Sequence, residues 1–154
     1  HRCWLGCGLR HIWWDCLTIR PFWEEILAQI KKILGYPILV DPGSTLLGLR
    51  AQTLTHQSVG DKTILWLCLG AANMAIAAAR KRRDAPSMMQ WHARLWQALT
   101  MERMTDSQFD TYEYFEYSWG PLVHYLFEGL PLCACPPCTR ALHLFQFYAR
   151  TRLE

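Results

Sequence analysis

Three cysteines and a histidine crowd the first sixteen residues: Cys3, Cys7, His11 and Cys16, in the spacing C-x3-C-x3-H-x4-C, with Trp4, Trp13 and Trp14 among them. Three thiolates and one imidazole make the donor set that a structural Zn2+ takes, and four is the number a closed tetrahedral site needs. The spacing is only near a known pattern, so the ligand count carries the expectation of zinc. A head this short has no core of its own, and metal would be what orders it. A second group, Cys133, Cys135 and Cys138 with His143 beyond, is tighter, because one residue separates the first two and Pro136-Pro137 stiffens the rest. That tail reads either as a cramped metal site or, more plainly, as ordinary thiols in an irregular segment.

Other chemistry is harder to find. There is no glycine-rich phosphate loop, no HExxH and no serine with a histidine at triad-like spacing. Cys135-Pro-Pro-Cys138 has the outline of a redox pair without the strand-then-helix setting that makes one reactive. His56, His92 and His124 are scattered, and Asp106 and Asp110 share a helical face at most. A non-catalytic chain is expected.

The elements that must hold these residues are helical. At 154 residues, with 51% hydrophobic residues and eight Trp, six Tyr and six Phe, the chain can bury one ordinary core and is far from a disordered composition. In TIRPFWEEILAQIKKILGYP the apolar positions Phe22, Trp23, Ile26, Leu27, Ile30, Ile33 and Leu34 recur at helical spacing. Pro21 suits the first turn, Glu24 and Glu25 lie near the positive end, Lys31 and Lys32 near the negative end, and Gly35 supplies a stop. The stretch from 38 to 61 has turn signals at Asp41, Pro42, Gly43 and Gly60 and reads as a connector.

Residues 63–79, TILWLCLGAANMAIAAA, are apolar almost all round and end at Arg80, Lys81, Arg82 and Arg83. A core helix is the plainer reading, with Trp66 and Met74 covered by neighbouring helices; a membrane segment is the alternative, since the basic flank suits headgroups, although the run is short of about 20 residues. Ser87 with Gln90 three residues on predicts a capping box ahead of a helix carrying Met88, Trp91, Leu95 and Leu99. A shorter amphipathic pattern follows, interrupted at Gly120-Pro121. No segment alternates long enough for a sheet. The expectation is an all-α protein: a zinc-knuckle-like head at 1–20, a domain of four or five helices at 21–129, and a Cys/Pro tail at 130–154.

Several rare residues agree in order at the head. CWLGCG, then HIWWDC, then PFWEEI and PILVDPGSTLLGL together resemble the region that follows the reverse transcriptase domain in the second open reading frame of L1-type non-LTR retrotransposons. The resemblance continues more loosely through the Ala-rich helix, Trp91, Met101-Glu102-Arg103 and Trp119-Gly120-Pro121, covering roughly residues 1–127. It implies zinc ligands at Cys3, Cys7, His11 and Cys16, with Trp13 and Trp14 packing the head on the first helix or facing nucleic acid. The chain departs from the family in having only Gly8, Leu9 and Arg10 between its second cysteine and the histidine, and Arg82 where the family tends to place tryptophan. The polymerase carboxylates of that family, which would hold two magnesium ions, have no counterpart in this sequence.

Lys and Arg outnumber Asp and Glu by 16 to 13, an excess that matters only where it is concentrated. The concentrations are Arg2, Arg10 and Arg20 around the head and Arg80, Lys81, Arg82 and Arg83 at the helix end. With Trp4, Trp13 and Trp14 available for stacking, they suggest weakly sequence-selective binding of RNA or single-stranded DNA. Clustered rather than evenly paired cysteines, seven in all, and the lack of a secretory leader suggest a reducing intracellular setting, nucleus and cytoplasm being equally compatible. The start at His1 suits a processed product or a fragment, and an inert element-derived fragment is the competing reading of the whole chain.

Overall fold

A computed structural model describes residues 8–47, 58–109 and 112–128. Among them there is no strand: a π-helical turn, His11–Asp15, precedes five helices, α1 (Arg20–Leu34), α2 (Pro42–Leu47), α3 (Val59–Arg82), α4 (Met88–Phe109) and α5 (Tyr112–Glu128). The tail with Cys133, Cys135, Cys138 and His143 lies outside the described residues, as do Arg2, Cys3, Trp4 and Cys7.

The first helix has the face its spacing predicts. Phe22, Trp23, Ile26, Ile30 and Ile33 are buried, Pro21 sits in the first turn, and Gly35 closes the helix at φ 81°, its N–H reaching the Lys31 carbonyl at 2.9 Å. The same signals led to a connector between 38 and 61, where a short helix in fact forms. Asp41 explains it: its Oδ1 accepts the Gly43 N–H at 2.8 Å and its carbonyl accepts the Thr45 N–H at 3.1 Å, just ahead of Pro42. One turn is too short to show periodicity, so turn residues and helix start look alike in sequence.

Helix α3 is the axis of the protein and packs against α1, α4 and α5. By length and composition it is also able to cross a membrane, but Ile64, Leu65, Cys68, Leu69, Ala72, Ala75 and Ile76 are all buried in the core. Trp66 is partly buried against that core, whereas Met74 stands exposed, contrary to the expectation that neighbouring helices cover both. The alanines account for this: Ala71, Ala72, Ala75 and Ala79 form the close-contact face and turn Met74 outward.

Ser58 caps α3 by accepting the Asp61 N–H at 3.0 Å. The capping box of α4 is half made, with the Gln90 N–H 3.4 Å from Ser87 Oγ while Gln90 Oε1 is buried without a partner. In α4, Trp91, Leu95 and Leu99 are fully buried, and the Trp91 indole N–H donates to the Cys68 carbonyl at 2.9 Å. Helix α5 runs through Gly120-Pro121, where the sequence suggested a break. Pro121 removes the donor that the Tyr117 carbonyl would otherwise meet. Gly60 of α3 lies against that place, so close that a Cβ there would be 3.6 Å from the Tyr117 oxygen and 3.4 Å from Ser118 Cα. Docking against α3, rather than local propensity, keeps this helix continuous.

Candidate functional site

The short segment between Cys7 and His11 is helical rather than looped. Ile12 N–H donates to the Gly8 carbonyl at 3.1 Å, and the turn then widens so that Cys16 N–H reaches the His11 carbonyl at 2.9 Å. The wide turn joins the two described zinc-ligand candidates at its ends. Cys16 is 4% exposed and not in a disulfide. His11 Nε2 is shielded from water and has no hydrogen-bond partner. An imidazole nitrogen in that condition is costly unless something binds it, so both residues fit a metal's requirements. Among the described residues no group of three or more His, Cys, Asp or Glu side chains is placed to hold a metal; Cys3 and Cys7 lie outside them.

The two head tryptophans divide their tasks. Trp14 packs onto α1, its ring 4.9 Å from that of Trp23. Trp13 anchors by its backbone, the carbonyl accepting the Trp23 indole N–H at 2.7 Å, and its own ring turns toward α3, with the Arg80 guanidinium 5.4 Å from the ring centre. A cation over an indole face at that separation is attracted by the ring quadrupole. Arg80 therefore ties the basic helix end to the head, two features 67 residues apart in the chain by number (13 and 80).

The remaining cations are outward. Lys81, Arg82 and Arg83 are exposed. Arg83 is left-handed at φ 58° and completes a Schellman closure: its N–H reaches the Arg80 carbonyl at 3.0 Å, and the Asp84 N–H reaches the Ala79 carbonyl at 2.9 Å. Glycine usually occupies that position, since a side chain there strains the backbone. Arg10 pairs with Asp15 at 3.0 Å while staying 73% exposed, so the pair is weak and solvent-screened. Arg20 pairs with Glu24 along α1 at 3.3 Å, also in solvent.

Between the head, the start of α2 and the middle of α3 lies a groove of about 750 Å³. Leu9, Arg10 and Trp13 line one side, Asp41, Pro42 and Gly43 another, and Asn73 the third. Asn73 donates from Nδ2 to the Thr45 carbonyl at 3.0 Å, and its Oδ1 is buried without a partner. Sequence reading missed this groove because α2 was not expected. Its one signal was a lone asparagine in an Ala-rich helix.

A separate polar cluster lies in the helical core. His92 of α4 and Tyr125 of α5 meet at 3.1 Å, and the Tyr125 hydroxyl donates to Gln29 Oε1 of α1 at 3.0 Å. Burial lowers the His92 pKa from 6.5 to about 4 and pushes that of Tyr125 upward. The Cys68 thiol, in the core, is pushed up to about 12 by burial. A neutral histidine, a protonated phenol and the Gln29 amide cross-brace α4, α5 and α1. His124 is exposed on α5, and His56 lies outside the described residues. No protein-family model matches the chain.

Proposed function

We propose that this chain is a non-catalytic module that binds RNA or single-stranded DNA with little sequence selectivity, similar to the region after the reverse transcriptase domain of L1-type retrotransposons. The observation that carries the reading is the Arg80–Trp13 contact at 5.4 Å. It brings the helix end that carries the exposed cations Lys81, Arg82 and Arg83 up to the indole of the head. Cations hold phosphates without reading bases, and an aromatic ring offers a stacking surface; the two side by side suit a single strand. Arg83 itself stands at the left-handed turn that ends the helix, where its exposed guanidinium extends the basic surface.

Cys3, Cys7, His11 and Cys16 would hold one Zn2+, which when bound supplies cross-linking of a head too small to order itself. The chain's own contribution is to present His11 and Cys16 from one wide turn and to brace that turn on α1 through Trp14 and Trp23. Metal analysis of untagged protein tests this part: about one zinc per chain is expected, lost when Cys7 and Cys16 become serine, and protein without zinc rejects it.

Fluorescence anisotropy with a labelled single-stranded RNA tests the binding itself. Affinity is expected to fall steeply with salt, and Lys81→Glu/Arg82→Glu is expected to weaken binding at low salt by at least about tenfold. These residues are exposed, so the core is untouched, and circular dichroism checks that α3 survives the change of charge at its end. Absence of low-salt binding, or binding indifferent to salt, sinks the reading.

A further inference from the structure

Helix α3 changes character at its end. Ala79 is the last of its residues sealed in the core; Arg80 is half-buried, and Lys81, Arg82 and Arg83 are exposed. The last turn is therefore held by backbone closure and side-chain contact rather than by burial. The closure passes through Arg80, whose carbonyl accepts the Arg83 N–H at 3.0 Å, and the Arg80 guanidinium lies 5.4 Å from the centre of the Trp13 ring. Trp13 belongs to the wide turn His11–Asp15, which the Cys16 N–H closes on the His11 carbonyl at 2.9 Å. The two described zinc-ligand candidates thus bracket the residue on which Arg80 rests. The Trp13 carbonyl also takes the Trp23 indole N–H of α1 at 2.7 Å. Backbone from His11 to Cys16 is one closed turn, so what orders its ends orders the ring in its middle.

We infer that the head governs the basic end of α3: binding of metal by His11 and Cys16, with Cys3 and Cys7, fixes the turn that carries Trp13, and Trp13 acting through Arg80 keeps the last turn of α3 wound for a nucleic-acid strand. The inference rests on the zinc and nucleic-acid readings above and adds the link between them. Helix ends fray, and long cationic side chains on a frayed turn lose freedom when they grip phosphates. With the turn already wound, a strand meets Lys81, Arg82 and Arg83 in fixed places and less ordering remains to be done. Arg80 is on this account a positioning residue, acting through the Trp13 ring and the Arg83 N–H. The effect is bounded by the contact that transmits it. A guanidinium over an indole near the surface limits the coupling to about two- to fivefold in affinity. Linkage runs both ways: if zinc secures the Arg80–Trp13 contact, the contact secures zinc, and its loss weakens zinc binding by a similar factor.

Two measurements on the full chain test this. In the first, zinc affinity is read by competition with a chromophoric chelator, with no nucleic acid present. Arg80→Gln is expected to weaken it about two- to fivefold. Arg82→Gln, which loses the same charge from the same helix end, is expected to leave it unchanged, and Arg80→Lys, which keeps a cation for the ring, to restore most of it. In the second, anisotropy with a labelled single-stranded RNA at low salt compares zinc-loaded with zinc-stripped protein. Stripping is expected to weaken binding about two- to fivefold in the unaltered protein and in Arg82→Gln, and to leave Arg80→Gln unchanged. Circular dichroism checks that the helices persist throughout. Equal zinc affinity in Arg80→Gln and the unaltered protein overturns the inference, as does a zinc effect on RNA binding that survives Arg80→Gln. RNA binding indifferent to zinc in the unaltered protein overturns it too, and all three results leave the nucleic-acid reading standing. Protein that takes up no zinc yet binds RNA removes the zinc site and this link but not the RNA binding. Protein whose zinc affinity depends on Arg80 but which binds no RNA removes the proposed function, and the link to a strand goes with it.

Discussion

The helical core and the corner formed by the head, the groove and the basic end of α3 are built on opposite terms. In the core, Trp91, Leu95, Leu99, Ile64, Ile76, Leu122 and Leu126 are sealed from water, and polar groups are mostly answered locally, Trp91 by Cys68, Thr100 by Trp96 and Tyr125 by Gln29, with Gln90 Oε1 left over. At the corner, Leu9 and Leu17 are exposed, His11 Nε2 and Asn73 Oδ1 are buried without partners, and an arginine holds a left-handed backbone. Two buried acceptors without partners therefore lie on the same side of the molecule as the exposed cations of the helix end. Cooperative packing explains the first region, whereas the second is held by fewer, more exposed contacts.

The comparison is broken most forcefully at Trp91. Replacing Trp91 by Ala in the core removes a fully buried ring together with its hydrogen bond to the Cys68 carbonyl, and is expected to cost about 3–5 kcal/mol in urea denaturation. Leu17→Ala in the head, at 81% exposure, is expected to stay within about 0.5 kcal/mol. Similar losses at both places would show that the regions are not energetically different.

Acid separates them next. In the unfolded chain the His92 ring takes a proton near pH 6.5, and in the folded protein only near 4. Unfolding therefore takes up a proton between those values, so stability falls as pH drops from about 6.5 to about 4 and the loss then levels off. With allowance for the ring's incomplete burial, the contribution is on the order of 2 kcal/mol. His92→Gln should flatten that part of the stability profile relative to the unaltered protein, and an unchanged profile would mean that His92 is not the group responsible.

Smaller effects sharpen the contrast. Ser58→Ala, which removes a well-made cap of α3, is expected to cost about 1 kcal/mol, and Ser87→Ala less than that because its bond is long. At the corner the sign reverses. Arg83→Gly relieves the left-handed backbone and is expected to raise stability by about 0.5–1 kcal/mol. The same change is expected to weaken low-salt nucleic-acid binding and lower the salt slope by about one. A variant that gains stability with no loss of binding would show that Arg83 contacts nothing.

Much of the core was legible because its periodicity is redundant. Phe22, Trp23, Ile26, Ile30 and Ile33 repeat one face several times over, and Pro21 and Gly35 mark its limits. The all-helical class follows from such stretches together with the lack of alternation. The corner was legible only as a list of residue types, in which Trp13 and Trp14 looked equivalent and Arg80 looked like one of four interchangeable cations. Identical neighbours acquire different tasks through contacts with residues far along the chain, and no local pattern encodes that.

The sequence by itself determined the helices with whole apolar faces, the stop at Gly35 and the presence of a thiol- and imidazole-rich head, since each depends on interactions within a few residues. Only the tertiary structure decided that α5 continues through Pro121, that Met74 faces water, that Arg80 rather than Arg82 meets Trp13, and that Asn73 borders a groove. The physical reason is the same in each case: a helix's local hydrogen bonds set its form, but the rotation and depth at which it packs on its neighbours depend on close contacts such as Gly60 against Ser118 and Ala75 in the core, which join residues that are distant in sequence.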